Sequence, residues 1–224
     1  MNPYVIILSA ADDVHACAVA AEIMTKHKAR ALILDTAHYP EHWQLTARIG
    51  DARKPSWLLR AGDLELTDRQ VVGVWWRRPK AHRISKLVKG RKIRRFCSDE
   101  AVAAFNGWIY SLGSSVVNPL AAELAANKKP YQLLKAKEVG LRVPDTVITN
   151  APTEARSFIA GHPEGAIFKV LTATSWTFAD TRMFKASHAR HLKTLRFAPI
   201  IFQEYIDVEY DIRATVVDDR LFCV

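Results

Sequence analysis

Short apolar runs and a helical pattern alternate along the first third of the chain. Residues 4–8 and 31–34 are compact runs of β-branched and aliphatic side chains, which predict strands, and the Ala-rich stretch at residues 14–24 favours a helix. Residues 70–76 supply a further apolar run. Strand, helix and strand with short connections are typical of a parallel sheet covered by helices, so the pattern predicts an α/β lobe.

Two helices are predicted next. Ser98 is expected to open the first, because two acidic residues then lie in the first turn and complement the helix dipole, and Gly113 stands where a C-terminal cap belongs. The apolar stripe of this helix is predicted to consist of Val102, Phe105, Ile109 and Leu112. Pro130 is expected to start the second helix.

From residue 142 onward the pattern changes to extended segments, at residues 142–149, 165–172 and 181–186. Helical stretches lie on either side of the middle segments, an order that favours an antiparallel α+β arrangement. We therefore predict an α/β domain at residues 1–118 and an α+β domain at residues 119–200.

The composition is that of an ordinary globular protein. Of 224 residues, 49% are hydrophobic and 25% are charged. The apolar opening that begins at Val5 is short and has no basic region before it, so it predicts neither a signal peptide nor a transmembrane span. Cys17, Cys97 and Cys223 fall in no CxxC spacing, and we expect reduced thiols in a cytoplasmic protein.

Several common catalytic motifs are missing from the sequence. It contains no GxxxxGK[ST], GxGxxG, HExxH or GxSxG pattern, which argues against P-loop, Rossmann, zincin and hydrolase chemistry. His38 and His42 are four residues apart and His188 and His191 are three apart, but a lone His pair is a poor metal site without a third ligand. We therefore expect no metal site at either pair.

The net charge of +9 implies attraction to polyanions, which include nucleotides, acidic peptides and nucleic acids. Residues 86–95 hold six cations in ten positions. Such a run fits a solvated surface first and an anion-docking surface second. Between the two polyanions that could dock there, an acidic peptide is favoured over nucleic acid, because no aromatic side chain interrupts the basic positions for base stacking.

Charged residues also interrupt the later predicted strands. Lys169 lies among apolar residues, where an ammonium group needs an anion or a water-filled cleft unless it points to solvent from an edge strand. Gln203 and Glu204 supply acceptors in a later strand, and Asp211 and Arg213, two residues apart, share one face of an extended segment. A carboxylate suits ribose hydroxyls and a guanidinium suits phosphate oxygens, so these segments could hold a nucleoside triphosphate without a P-loop.

The sequence resembles the ATP-grasp ligases, and within them the enzymes that mature ribosomal peptides, the graspetide or microviridin macrocyclases. The resemblance lies in five pieces: DDVHACAVAAEI after the first strand, LDTAHYP after the second, VWWRRP at 74–79, NKKPYQLLKAKEVGLRVPDTVITN at 127–150 and APIIFQEYIDVEYDIRATVV at 198–217. The pieces occur in family order and cover nearly the whole chain. They imply a pre-ATP-grasp α/β domain, then an ATP-grasp small domain, with residues 201–224 as the first strands of a C-terminal lobe.

The resemblance also implies roles for individual residues. Lys128 and Lys169 would contact the triphosphate of ATP, and Asp211 would take the ribose hydroxyls. The backbone of the strand that meets adenine would be formed by Glu204, Tyr205 and Ile206. Arg213, as the catalytic residue, would point toward the terminal phosphate. For the substrate, the resemblance implies contacts from Arg77 and Arg78.

Two departures from the family pattern are visible. The loop at residues 172–180 has no glycine to cover the phosphates, and we expect the hydroxyls of Thr172, Thr174 and Ser175 and the backbone amides to substitute. The acidic and Glu-x-Asn segments that hold Mg²⁺ in the family would follow Val224. We therefore expect a C-terminally incomplete ATP-grasp fold, with Mg²⁺ ligands beyond Val224 and no activity of this chain alone.

The leading hypothesis is an ATP-dependent ligase that phosphorylates an Asp or Glu side chain of an acidic precursor peptide. A Ser or Thr hydroxyl or a Lys amine would then attack the acylphosphate. Ligation of free amino acids and a non-catalytic nucleotide- or peptide-binding module stay open as alternatives. We expect no nucleic-acid or membrane partner. Residues 207–224 are predicted to form a hairpin that turns at Asp218 and Asp219, with an apolar face that favours self-association, for example as a homodimer.

Overall fold

The computed structural model describes residues 3–50, 56–172 and 180–224. The chain divides into two compact units, Met1–Ala125 and Ala126–Val224. The domain boundaries inferred from the sequence stay predictions.

Regular structure in the first unit begins near the N-terminus. The strands are β1 (Tyr4–Leu8), β2 (Arg30–Leu34), β3 (Trp43–Ala47), β4 (Trp57–Ala61), β5 (Leu64–Thr67), β6 (Val71–Trp75) and β7 (Val116–Val117). The helices are α1 (Val14–Lys26), α2 (Arg91–Ser111) and α3 (Leu120–Ala126), the last of which crosses into the second unit along the chain.

A parallel sheet forms the centre of the first unit, with strand order β2-β1-β6-β7. Its central strand β1 is buried on both faces, because Ile7 packs with α1 while Ile6 and Leu8 join a core that includes Phe105 and Trp108 of α2. A parallel strand covered on both faces reads as a continuous apolar run, which explains why β1 was visible in the sequence. The predicted α/β lobe is confirmed.

A second, antiparallel sheet of the first unit was not predicted. Strands β3, β4 and β5 form a meander in which Trp43, Leu59 and Leu66 join the same core as the parallel sheet. Gly62 has a φ of +58°, which suits the tight turn between β4 and β5.

Helix α2 begins earlier than the sequence suggested. It starts at Arg91, so the expected start at Ser98 is wrong by about two turns. Gly90, with a φ of +83°, stands at the N-cap. The buried face consists of Ala101, Phe105, Trp108 and Ile109, whereas Val102, expected in the stripe, is 42% exposed. The basic residues from Arg91 to Arg95 therefore form the first turn and a half of this helix.

The second unit is an α+β arrangement. Its elements are α4 (Lys129–Glu138), β8 (Thr146–Thr149), α5 (Pro152–Ala160), β9 (Ala166–Lys169), β10 (Arg182–Met183), a 3-10 segment (Ala186–Phe197), β11 (Ile200–Glu204), β12 (Ala214–Val217) and β13 (Arg220–Cys223). The main sheet has the order β10-β9-β11-β8, and every pairing in it is antiparallel. Its core contains Phe202 with Ala155 of α5 and Leu192 and Leu195 of the 3-10 segment. This arrangement confirms the predicted fold class.

Strands β12 and β13 form a separate two-stranded hairpin. It turns at Asp218 and Asp219, the positions expected from the sequence, and Asp218 has a φ of +52°. Backbone hydrogen bonds between Arg213 and Val224, of 2.8 and 3.1 Å, extend the pairing by one position. All residues from Tyr205 to Val224 are exposed.

Candidate functional site

Polar groups meet where the central strands of the parallel sheet end. Ser9 directly follows β1, and Arg77 lies two residues beyond β6. The Ser9 hydroxyl donates to Oδ2 of Asp13 at 2.8 Å. Oδ1 of Asp13 accepts from the backbone N–H groups of His15 and Ala16 at 3.0 and 3.2 Å, which makes Asp13 the N-cap of α1. Nε of Arg77 lies 3.3 Å from Oδ2 of the same carboxylate.

These contacts keep Asp13 ionised. The Ser9 hydrogen bond, the two backbone N–H groups and the charge of Arg77 together lower its pKa to about 2. Arg77 is held between this carboxylate and the ring of Trp75, whose centroid is 5.6 Å from the guanidinium carbon. Its side chain is 20% exposed, and its buried Nε has no hydrogen-bond partner within the described residues. A fixed guanidinium at the end of a parallel sheet can bind a carboxylate or phosphate.

Arg78 is placed differently from Arg77. It is exposed, and its backbone N–H donates to the carbonyl of Leu8 at 2.9 Å. This bond ties the segment that follows β6 to the end of β1.

Two lysines lie near each other in the second unit. Lys169 ends β9 and is half-buried, and its pKa is lowered first by burial and then by the positive charge of Lys129. Lys129 donates from Nζ to the carbonyl of Leu171 at 2.9 Å. Neither ammonium has a carboxylate partner within the described parts of the chain. Two half-buried cations in this arrangement favour an anionic ligand.

Lys129, rather than Lys128, is the residue that the structure brings to Lys169. Lys128 is exposed at the N-cap position of α4. Lys129 is the first residue of α4. Which of the two adjacent lysines lies near Lys169 therefore depends on the residue at which α4 starts. The sequence reasoning named Lys128 and missed Lys129. Lys129 is identified by its hydrogen bond to the carbonyl of Leu171, just after β9, which only the structure shows.

The end of β11 holds the predicted adenine strand. Gln203 is buried and donates from Nε2 to Oγ1 of Thr146 at 2.8 Å, so its role is to join β11 to β8. Oε1 of Glu204 accepts from the backbone N–H of Asp145 at 2.9 Å. The backbone N–H of Tyr205 donates to the carbonyl of Gly165 at 3.0 Å. The side chains of Tyr205 and Ile206 are exposed.

Asp211 and Arg213 lie together at the open end of the hairpin, where they line a shallow depression with Val224. They precede β12 and are not part of the β8–β11 sheet that carries Lys169. Of the loop expected to cover the phosphates, Thr172 is described and exposed, while Thr174 and Ser175 lie outside the described residues.

Features that bear on metals and membranes can be stated for the described residues. No group of three or more His, Cys, Asp or Glu side chains there could hold a metal ion. Cys17, Cys97 and Cys223 are unpaired. In the same residues, no helix combines the length and apolar character needed to cross a bilayer.

Comparisons with known proteins identify the family. Residues 4–123 match the model of the MvdD pre-ATP grasp domain, which is more than half of the chain. No curated protein matches the sequence.

Solved structures extend the similarity over both units. The macrocyclase MdnB from Microcystis aeruginosa MRC is 29% identical with a TM-score of 0.84, over 99% of this chain and 74% of that chain. MdnC from the same organism, bound with precursor peptide MdnA, has a TM-score of 0.90 at 24% identity, over 99% of this chain and 70% of that one. A Chryseobacterium gregarium RiPP-associated ATP-grasp ligase, in complex with ADP and a leader and core peptide, has a TM-score of 0.83 at 23% identity, over 100% of this chain and 68% of that one.

The MdnC structure and the Chryseobacterium gregarium structure have the same fold as this chain. The chain spans about 70% of the length of the three enzymes. The family match and the fold agree with the resemblance seen in the sequence. The chain therefore belongs to the RiPP-associated ATP-grasp macrocyclase family, in which its first unit is the MvdD pre-ATP grasp domain.

Proposed function

We propose that this protein acts in an ATP-dependent ligase that joins a carboxylate side chain of a peptide to a hydroxyl or an amine of the same peptide. The observation that carries the proposal is the family match at residues 4–123 together with a fold shared with two macrocyclases over 99% of the chain. The chemistry of the described residues agrees with it.

The second unit supplies the proposed phosphate contacts. Lys169 has a lowered pKa and no carboxylate partner in the described residues, so a triphosphate would provide the counter-charge that the fold does not. Lys129 lies beside it and is proposed to share this role, and Lys128, exposed at the N-cap position of α4, keeps the triphosphate contact inferred from the sequence.

The proposed contact with adenine comes from the segment after β11. Because the N–H of Tyr205 is already used within the sheet, its carbonyl and the backbone of Ile206 are the groups left for the base. Glu204 orients this segment through its bond to Asp145. Asp211 is proposed to accept from the ribose hydroxyls, and Arg213 to neutralise charge on the terminal phosphate.

The first unit supplies the proposed carboxylate contact. Arg77 has a guanidinium that Asp13 and Trp75 hold in place, which suits the two oxygens of an Asp or Glu side chain of the peptide. Arg78 is exposed beside it in sequence and would make an outer contact with the substrate.

The proposed reaction has two steps. A carboxylate oxygen of the peptide forms a bond to the γ-phosphorus of ATP, the bond from that phosphorus to the bridging oxygen breaks, and ADP leaves. A hydroxyl or amine of the peptide then attacks the acyl carbon, loses its proton to a base and expels inorganic phosphate. The product is an ester or an amide.

Mg²⁺ is expected to neutralise charge between the β- and γ-phosphates when it is bound. The described residues provide no donor set of three for it, so its ligands stay a prediction. The unpaired cysteines agree with a cytoplasmic protein, which is part of the proposal.

The test measures ADP release by the full-length protein with ATP, Mg²⁺ and an acidic peptide that also contains Ser, Thr and Lys. Peptide-dependent ADP release, with loss of one water mass from the peptide for each ring, is the expected result. ADP release with free amino acids but with no peptide would support the alternative ligase. Nucleotide binding without turnover of any carboxylate would identify a binding module and overturn the proposal.

A further inference from the structure

We propose that an open cleft of the first unit docks an acidic segment of the peptide substrate, at a site separate from Asp13 and Arg77. This inference rests on the proposed function. The basic cleft, as we call it, has three walls: the turn at residues 37–42, the loop at residues 82–87 and the start of α2 at residues 90–98. Its volume is about 1070 Å³, slightly above the usual range for small-molecule pockets, which is about 300–1,000 Å³.

The charges that line the basic cleft are nearly all positive. The cations are Arg83, Lys86, Arg91, Arg94 and Arg95, and the lining contains one carboxylate, that of Glu41. The acceptor capacity of Glu41 is partly used, because its Oε1 accepts from the hydroxyl of Ser85 at 2.7 Å. The cleft therefore attracts anions.

Two of these cations bind other groups of the protein. Arg94 is half-buried and donates to three loop carbonyls, those of Ile84 at 2.8 Å, Ser85 at 2.7 Å and Val88 at 3.2 Å. Arg95 pairs with Asp99 at 2.8 Å. Arg83, Lys86 and Arg91 are exposed and have no carboxylate partner among the described residues. These three cations are the ones available to a ligand.

The loop that carries Arg83 and Lys86 is fixed on both sides although it has no regular secondary structure. Arg94 fastens it to α2 through its hydrogen bonds to the loop carbonyls. On the other side, the backbone N–H of Arg83 donates to the carbonyl of Ala37 at 3.1 Å, and Nδ1 of His82 lies 2.8 Å from the carbonyl of Thr36. A fixed loop loses little conformational freedom when a ligand binds, so the backbone positions of Arg83 and Lys86 are preorganised.

The lining favours a peptide over a nucleic acid. It contains imidazole rings but no Phe, Tyr or Trp side chain within the described residues, whereas single-stranded nucleic acids are commonly held by aromatic stacking. Leu87 also lines the cleft and is 84% exposed, which offers an apolar contact beside the cations. Cations next to an exposed aliphatic side chain suit an acidic peptide that carries apolar residues.

The experiment measures binding of a fluorescent hexaglutamate peptide to the full chain by anisotropy at low salt. The test variant combines Arg83→Gln, Lys86→Gln and Arg91→Gln. The control variant combines Lys28→Gln, Lys137→Gln and Lys193→Gln, exposed positions elsewhere that change the net charge equally. We expect the test variant to bind the peptide about tenfold more weakly and the control variant to bind like wild type. The difference should shrink with salt, because the Debye length is about 8 Å at physiological ionic strength.

Equal weakening in both variants would show attraction by net charge alone and overturn the proposal. Tighter binding of oligo-dT than of hexaglutamate, lost in the test variant, would overturn it in favour of a nucleic-acid site.

Turnover separates this proposal from the proposed function. A raised KM for an acidic peptide with unchanged kcat in the test variant would support the docking site. Peptide-dependent turnover with an unchanged KM would overturn the docking site alone. A further outcome is that the protein binds hexaglutamate through the basic cleft and yet turns over no carboxylate. That result would overturn the proposed ligase function and support the docking site.

Discussion

Replacing Lys169 with Met is expected to weaken nucleotide binding without destabilising the fold. The ammonium group is half-buried, Lys129 lies close enough to lower its pKa, and the described residues offer it no carboxylate. A hydrogen bond to a charged group contributes about 1.5–3 kcal/mol, which corresponds to roughly 10-fold to 150-fold in the dissociation constant for ATP. Met keeps most of the aliphatic stem in place, so the loss should report the charge.

The pH dependence of stability gives a second readout for Lys169→Met. Because the folded state lowers the pKa of Lys169, protonation of this group opposes folding at pH values below its folded pKa. This opposition disappears as the pH rises through the folded pKa toward the unfolded value of about 10.4. Wild type should therefore gain stability relative to Lys169→Met over that alkaline range, and the variant should be at least as stable at neutral pH.

The assay is calorimetric titration with ATP, with Lys137→Met as the matched control. Lys137 is an exposed lysine of α4 in the same unit. Dissociation constants that are equal in the two variants would remove Lys169 from the nucleotide site and with it the proposed position of the phosphates.

Three further outcomes are expected. Because the pKa of Asp13 is lowered from 3.8 to about 2, ionised Asp13 stabilises the fold above about pH 4, and this contribution is lost as the pH falls through about 2. The free energy of urea unfolding of Asp13→Asn should therefore converge on that of wild type only at the acidic end. A difference in unfolding free energy that stays constant with pH would contradict the assignment. Arg94→Gln should cost about 1–3 kcal/mol and speed amide exchange at Val88, and an unchanged exchange rate would show that Arg94 does not hold the loop. The exposed hairpin should make the chain self-associate, and Leu221→Lys should reduce the association seen by sedimentation, whereas a wild-type monomer at all concentrations would refute this.

Three strands of the parallel sheet, β1, β2 and β6, could be predicted from their apolar runs, most clearly β1, which is buried on both faces; β7 was not predicted. The β3–β5 meander could not be predicted, since one face of this sheet meets solvent and the alternation of buried and exposed residues along its strands is weak. In β3, Trp43 is buried, while Leu45 and Thr46 are both half-buried although they point to opposite faces. The start of α2 was misplaced because its first turn is basic, against the usual preference at a helix N-terminus, and Gly90 is a weak signal in sequence.

The site residues named from the sequence stay predictions, and the structure shows which of them depend on features that a sequence does not display. Lys169 was noticed as a lysine among apolar residues, although its strand alone also allowed an edge position that points to solvent. The choice between Lys128 and Lys129 depends on where α4 starts, and sequence patterns do not fix helix ends to one residue. The role of Asp13 was not assigned from the sequence, because it arises from β1, α1 and the end of β6 meeting at one edge of the sheet.

Because the hairpin is separate from the main sheet, the proposed nucleotide contacts differ in the entropy that they lose on binding. Lys169 lies on β9 of the packed sheet, and Lys129 is held by its hydrogen bond to the carbonyl of Leu171, so their positions are set before any ligand arrives. Asp211 and Arg213 lie on an exposed segment beside a two-stranded hairpin, a structure that is only marginally stable by itself in water. Ordering each of these two side chains costs about 0.5–1.5 kcal/mol on binding. Any partner surface that immobilises the hairpin beforehand would remove this entropic cost, and so would tighten nucleotide binding without touching the nucleotide.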